Sequence, residues 1–228
     1  MTEAERIQPG DAIHIGPPLT VDRYGPAARA NHWVTAASLI LLAISGLALF
    51  TPSLFFLTDF FGGGQNTRML HPWFGIVLFV SFFVFFFQLW RANLWTRTDF
   101  VWLSRIGDLI AGHEERLPEL EKYNAGQKFV FWAMSGLILI LIVSGVIIWD
   151  QYFADATAIG TKRIAILAHS VAAVLIICVF ILHVYAGIWT RGTLRAMTRG
   201  SVTGGWAWRH HRKWLRKLAG QHRVGPAE

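Results

Sequence analysis

Residues 164–190 read IAILAHSVAAVLIICVFILHVYAGIWT, a run without a single charged side chain that holds two histidines, His169 and His183. At about 1.5 Å of rise per residue such a helix is about 40 Å long, enough to cross a hydrocarbon core of about 30 Å. Fourteen residues of helix return the second imidazole to within about 40° of the first, about 21 Å further along the axis. One helix therefore offers two ligands on one face, one toward each membrane surface. Ionisable groups at such depth are costly and mark functional pathways.

The rest of the chain agrees with a membrane assignment. Of 228 residues, 54% are hydrophobic and 15% charged, and the apolar residues come in long blocks. Four blocks are long enough to span, at about 31–57, 71–90, 129–149 and 164–190, which predicts an all-α, four-helix transmembrane bundle. Residues 1–30 form a polar arm without the apolar run of a signal peptide, so the first span is expected to act as the insertion signal. Residues 191–228 form a basic tail. Eighteen of the 21 Lys and Arg fall in the arm (Arg6, Arg23, Arg29), in loop 91–128 and in the tail, whereas the other two loops carry only Arg68, Lys162 and Arg163. This asymmetry predicts a multi-pass protein of the bacterial inner membrane with both termini and loop 91–128 cytoplasmic. The net charge of +7 belongs to that topology, and no nucleic-acid-binding motif accompanies it.

Between the spans the signals are weaker. Gly16-Pro17-Pro18 and Gly25-Pro26 make the arm read as irregular, and 61–66 reads as a flexible turn. Loop 91–128 is expected to hold an amphipathic interfacial helix, with Phe100 to Leu103, Ile106, Leu109 and Ile110 on its apolar face. The tail segment from Trp206 to Trp214 mixes tryptophan with positive charge, the pattern of anchoring to anionic lipid. Five histidines (His14, His113, His210, His211, His222) lie in polar segments and read as solvated side chains. Adjacent His210 and His211 diverge by about 100° on a helix, which disfavours a shared metal.

Four histidines remain, and the connectivity sorts them by depth. His32 opens the first span and His183 closes the fourth, both on the cytoplasmic side of the predicted topology. His71 opens the second span and His169 lies near the start of the fourth, both on the opposite side. Each pair draws its members from different helices, as a planar haem clamped on both faces requires, whereas zinc wants its ligands at one depth. A lone histidine in a span more often bridges helices by a hydrogen bond; two depth-matched pairs favour ligation. The single cysteine, Cys178, lies within the fourth span, so the chain has neither an iron–sulfur ligand set nor a covalent haem attachment site, and haem here is of the b type. Two axial imidazoles per haem leave no open position for oxygen chemistry and define an electron carrier.

Gly46 lies 14 residues after His32 and Gly75 one turn beyond His71, positions where a helix can admit a macrocycle; packing between membrane helices accounts for them equally well. Arg29, one turn before His32, is placed to meet a haem propionate or to serve as a topology charge. Asn124, Gly126 and Gln127 taken alone read as a loop ending before a helix, with Asn124 and Gln127 supplying hydrogen-bond groups and Gly126 letting the backbone approach a ligand.

Arg29-Ala30-Asn31-His32-Trp33, Leu70-His71-Pro72-Trp73-Phe74-Gly75, Lys122-Tyr123-Asn124-Ala125-Gly126-Gln127-Lys128 and Ile181-Leu182-His183-Val184-Tyr185 resemble the cytochrome b (gamma) subunit of respiratory membrane-bound formate dehydrogenase, over about residues 23–217. The resemblance implies two b haems on the pairs above and a quinone site lined by Asn124, Gly126 and Gln127 next to the cytoplasmic haem, with His183 close to both. Ubiquinone and menaquinone both satisfy it. It also implies an iron–sulfur beta subunit and a molybdenum- or tungsten-containing alpha subunit as partners, with formate oxidation residing in those subunits. The expected role is therefore an electron-transfer anchor carrying electrons from a periplasmic partner to quinone. A cytochrome b anchor of another periplasmic oxidoreductase, such as a NiFe hydrogenase, and a haem-free anchor whose histidines only bridge helices are the alternatives. No acidic residue lies inside a span to couple ions, which disfavours a transporter.

Overall fold

A computed structural model describes residues 8, 10–154, 157–221 and 224–225; Arg6 and His222 lie outside the described residues. Four long apolar helices dominate the chain: α1 (Pro26–Phe50), α2 (Gly64–Leu89), α5 (Ala125–Ile147) and α7 (Ile159–Trp189). Shorter helices are α3 (Arg97–Ser104), α4 (Ile106–Ile110), α6 (Asp150–Phe153), α8 (Thr193–Thr198), α9 (Gly204–His210) and α10 (Arg212–Gly220). Each long helix begins several residues before its apolar block, because polar ends are tolerated where a helix leaves the hydrocarbon. The first also ends early, at Phe50. Thr51 precedes Pro52 and is held extended (φ −132°, ψ 133°), and Pro52–Phe61 continues as a 3-10 helix. Positive φ at Gly62 and Gly63 then turns the chain into α2, so 61–66 is an ordered corner rather than a flexible turn.

The chain divides into two compact units. One comprises Ala30–Phe86 and Trp132–Val184 and holds the greater part of the four long helices. Its core is drawn from all four, with Leu39, Leu78, Phe82, Ile138 and Ile176 buried together. On α7 the buried Ala165, Ala172 and Ile176 share a face with His169, while Ile164, Leu167, Val171 and Val174 stay exposed. An apolar surface of that extent is what a bilayer covers. The fold is all-α, a membrane-helix bundle.

The other unit comprises Met1–Arg29, Phe87–Phe131 and Tyr185–Glu228. Here the arm is not irregular: β1 (Ile13–His14) and β2 (Thr20–Asp22) pair antiparallel, and with β3 (Ser201–Thr203) and β4 (Val224–Gly225) they form a sheet of order β3-β2-β1-β4. Ile13, Val21 and Val202 point from this sheet into a core with Trp206, Trp214 and Leu218. The tail tryptophans are therefore mainly structural. Trp206 and Trp214 are buried, and only Trp208 is exposed, with the Arg212 guanidinium 4.8 Å from its ring centroid. Two polar histidines are also structural: His14 contacts the Asp22 carboxylate at 2.6 Å, and His211 is buried with Nδ1 2.5 Å from the Glu121 carbonyl oxygen. At the centre Asp11 pairs with Lys122 at 2.5 Å and accepts from Trp214 Nε1 at 3.1 Å. Arg23 donates to the Lys122 carbonyl and is enclosed by the rings of Tyr24, Tyr123, Trp206 and Trp214. Burial lowers the Lys122 ammonium to about 8, against the raising effect of Asp11. Loop 91–128 holds two helices instead of one, broken at Arg105, with Trp102 buried against Leu120 and Ala125.

Candidate functional site

The bundle brings the four histidines together as two pairs. His71 on α2 faces His169 on α7 with ring centroids 6.3 Å apart, and His32 on α1 faces His183 on α7, also at 6.3 Å. The planes are inclined by 64° and 50°, so neither pair stacks. An imidazole nitrogen binds a metal at about 2 Å and sits about 1.1 Å from its ring centre, which places the centroids of two axial imidazoles about 6 Å apart. Both pairs meet that separation. A direct hydrogen bond between the rings would need about 3 Å between nitrogens, and none links either pair. The residues present thus fit the axial ligands of two haems better than helix-bridging pairs.

The surroundings of His71 and His169 fit as well. A cavity of about 1680 Å³ is lined by both imidazoles, Gly46, Gly75, Arg68 and Trp149. It exceeds the 300–1,000 Å³ common for small-ligand sites, and apolar side chains make up most of its wall. The His71 ring lies against α1 at Gly46, where an added Cβ would stand 3.4 Å from His71 Cε1, in van der Waals contact. An added Cβ at Gly75 would meet nothing within 4 Å on the cavity wall. Trp149 Nε1 is buried and lacks a hydrogen-bond partner among the described residues, and Arg68 brings a positive charge to the same wall. Gln65, Asn66, Asp150 and Gln151 line the same cavity, and Arg68 and the Trp149 N–H are the groups of this lining suited to the carboxylates of a haem.

The second pair is more open. His183 is exposed on α7, and His32 Nδ1 is buried with no hydrogen-bond partner among the described residues. Trp33 and Phe85 pack on His32 at 5.3 and 6.2 Å. Arg29 Nη1 donates to the Thr198 carbonyl at 2.7 Å, and its guanidinium lies over Gly200, whose φ of +87° would strain a side chain and bring its Cβ to 2.7 Å from the Tyr24 carbonyl oxygen. Arg29 Nε is buried with no hydrogen-bond partner among the described residues.

Asn124 and Gln127 form a reciprocal cap at the start of α5. The Gln127 amide nitrogen of the backbone donates to Asn124 Oδ1 at 2.8 Å, and the Asn124 backbone N–H donates to Gln127 Oε1 at 3.1 Å. Backbone N–H groups can be met only by oxygen, so both side-chain NH2 groups are turned away from the cap and have no partner among the described residues. Gly126 is close-packed, with an added Cβ 3.4 Å from Asn124 Oδ1 and 3.5 Å from Trp102 Cη2. Below the cap, Lys128 is buried and pairs with Asp99 at 2.6 Å, anchoring the first turn of α5 to α3.

Several residues at the first histidine pair escape a reading of sequence. Gly145 on α5 matches Gly46, an added Cβ there lying 3.4 Å from His169 Cε1. Ser45 and Ser144, the residues immediately before these glycines, contact the Nδ1 atoms of His71 and His169 at 2.8 and 3.0 Å. The repeated Ser-Gly dipeptide, each 25 or 26 residues before a membrane histidine, is the signal that would have found them.

A family model for prokaryotic cytochrome b561 matches residues 23–200. The chain is 44% identical over 199 residues to the formate dehydrogenase cytochrome b556(fdo) subunit of Escherichia coli K12, covering 87% of this chain and 93% of that protein. It is 37% identical over 190 residues to the nitrate-inducible formate dehydrogenase cytochrome b556(Fdn) subunit of the same strain, covering 83% and 88%. A formate dehydrogenase cytochrome b556 subunit of Haemophilus influenzae is 33% identical over 205 residues, covering 90% and 86%. With four membrane-length helices and a match across most of its length, the chain belongs to the prokaryotic cytochrome b561 family and is a membrane cytochrome b.

Proposed function

We propose that this chain is the two-haem cytochrome b anchor of a respiratory formate dehydrogenase. His71 and His169 hold one haem b, and His32 and His183 hold the other. The observation that carries the reading is the repeated 6.3 Å separation of the two histidine pairs. Bound there, such haems supply one-electron transfer and offer no open coordination site. The bundle holds the rings of the first pair through Ser45 and Ser144 and sets the pairs about 21 Å apart along α7, by its helical rise.

The distribution of basic residues supports placing both termini and loop 91–128 in the cytoplasm of a bacterial inner membrane. In that orientation His71 and His169 face the periplasm. Electrons enter from an iron–sulfur partner there, itself reduced by a molybdenum- or tungsten-containing catalytic subunit, and leave to quinone. Asn124 and Gln127 bind the quinone through their outward NH2 groups, which donate to carbonyl oxygens, with Gly126 between them packed against Trp102. The names of the relatives support formate as the substrate of the assembled complex.

The deciding experiment is an optical spectrum of the purified protein with a haem count per chain. Two low-spin b haems per chain, reducible by formate when the chain is isolated with its partners, are expected. One haem or none would overturn the proposal, and two haems unresponsive to formate would reassign the donor.

A further inference from the structure

Two serines address the ring nitrogens of His71 and His169 in the same way. Ser45 Oγ donates its one proton to the Leu41 carbonyl at 2.7 Å and lies 2.8 Å from His71 Nδ1. Ser144 Oγ donates to the Ile140 carbonyl at 2.6 Å and lies 3.0 Å from His169 Nδ1. With its proton committed to the preceding helical turn, a serine oxygen can only accept from the imidazole. Nδ1 must then carry the hydrogen in both rings, and Nε2 keeps its lone pair. Ser45 is fully buried and Ser144 nearly so, so water does not compete.

We infer that Ser45 and Ser144 are positioning residues that fix the tautomer and orientation of His71 and His169 and raise their electron donation to iron. This rests on the assignment of that pair as axial ligands. A hydrogen bond accepted from the far nitrogen of a ligating imidazole makes the ring more basic and stabilises the oxidised metal. The adjacent glycines sit beside the same rings, an added Cβ at Gly46 or Gly145 lying in van der Waals contact at 3.4 Å from the Cε1 atom of His71 or His169. The other pair lacks this arrangement, since His32 Nδ1 has no partner among the described residues. Hydroxyl support therefore distinguishes the two haem sites.

The test uses the full chain in its complex, with Ser45→Ala, Ser144→Ala and the control Ser38→Ala. Ser38 is a buried serine of α1 that bonds back to the Val34 carbonyl at 2.8 Å and has no hydrogen bond to an imidazole among the described residues. Redox titration followed optically and low-temperature electron paramagnetic resonance are read on each haem. Ser45→Ala should raise the midpoint potential of the haem that His71→Ala removes, change its resonance signature, and lower its retention about tenfold. Ser144→Ala should act in the same direction on the same haem, through His169. Ser38→Ala should change neither haem. Two haems at unaltered potentials in Ser45→Ala, a shift confined to the haem of His32, or an equal effect of Ser38→Ala would overturn the inference while leaving the ligand assignment standing. Absence of haem from the unmodified protein would overturn both.

Discussion

The imidazoles of His71 and His169, on helices α2 and α7, stand with their centroids 6.3 Å apart and share no hydrogen bond with each other, although each is held from behind by a serine. Two neutral rings facing across a gap of that width, within an apolar bundle, gain nothing from each other. The gap has a physical rationale when a metal fills it.

Removal of a ligand should follow the pairs. His71→Ala and His169→Ala are each expected to abolish one and the same spectral component, leaving one haem per chain, and His32→Ala should abolish the other. Haem quantification with reduced-minus-oxidised spectra of the three variants checks this. Loss of the same component in His32→Ala and His71→Ala would break the pairing.

The quinone assignment can be separated from helix capping. Asn124→Asp and Gln127→Glu keep an acceptor oxygen in place of each amide oxygen that caps α5 and remove the NH2 donors, and a negative charge at a helix start is favourable. Both haems should remain reducible by the donor while quinone reduction falls about tenfold, the equivalent of about 1.4 kcal/mol in the transition state. Turnover at the rate of the unsubstituted protein in both variants would move the site elsewhere.

Acid should loosen the unit that contains the sheet. Burial, with Arg23 adding repulsion, holds the His211 imidazole well below its usual range, so it stays neutral in the folded chain. An unfolded chain protonates that residue below about pH 6.5, and binding more protons than the folded form it gains stability as pH falls. The native contribution is thus complete above that pH and lost below it. Protection factors of α9 and α10, that is exchange corrected for the intrinsic rate at each pH, should fall from pH 7 to pH 5, and His211→Gln should weaken that pH dependence. Equal pH dependence in the variant would assign the acid response to another group.

Topology is open to direct measurement. Reporter fusions at residue 63 should score as periplasmic, and those at residue 110 and at the C-terminus as cytoplasmic, in keeping with the concentration of Lys and Arg in the arm, loop 91–128 and tail. A periplasmic C-terminus would reverse the proposed direction of electron flow.

Helix number, span positions and the ordering of the histidines by depth were all legible in the chain, because each depends on local quantities: the length of an apolar run, the rise per residue and the alternation of direction from span to span. The depth at which His169 or His183 sits follows from its place in residues 164–190 and needs no partner. What the tertiary structure alone decided is rotation and long-range contact. Whether Ser45 faces His71 depends on how α1 is turned about its axis, which near-uniform hydrophobicity leaves unspecified. The sheet was hidden for a different reason: Ile13, Val21 and Val202 are isolated apolar residues in polar segments, and they acquire a buried face only when chain ends some 180 residues apart meet. The same meeting buries Trp206, Trp214 and His211, whose composition alone matches a membrane surface equally well.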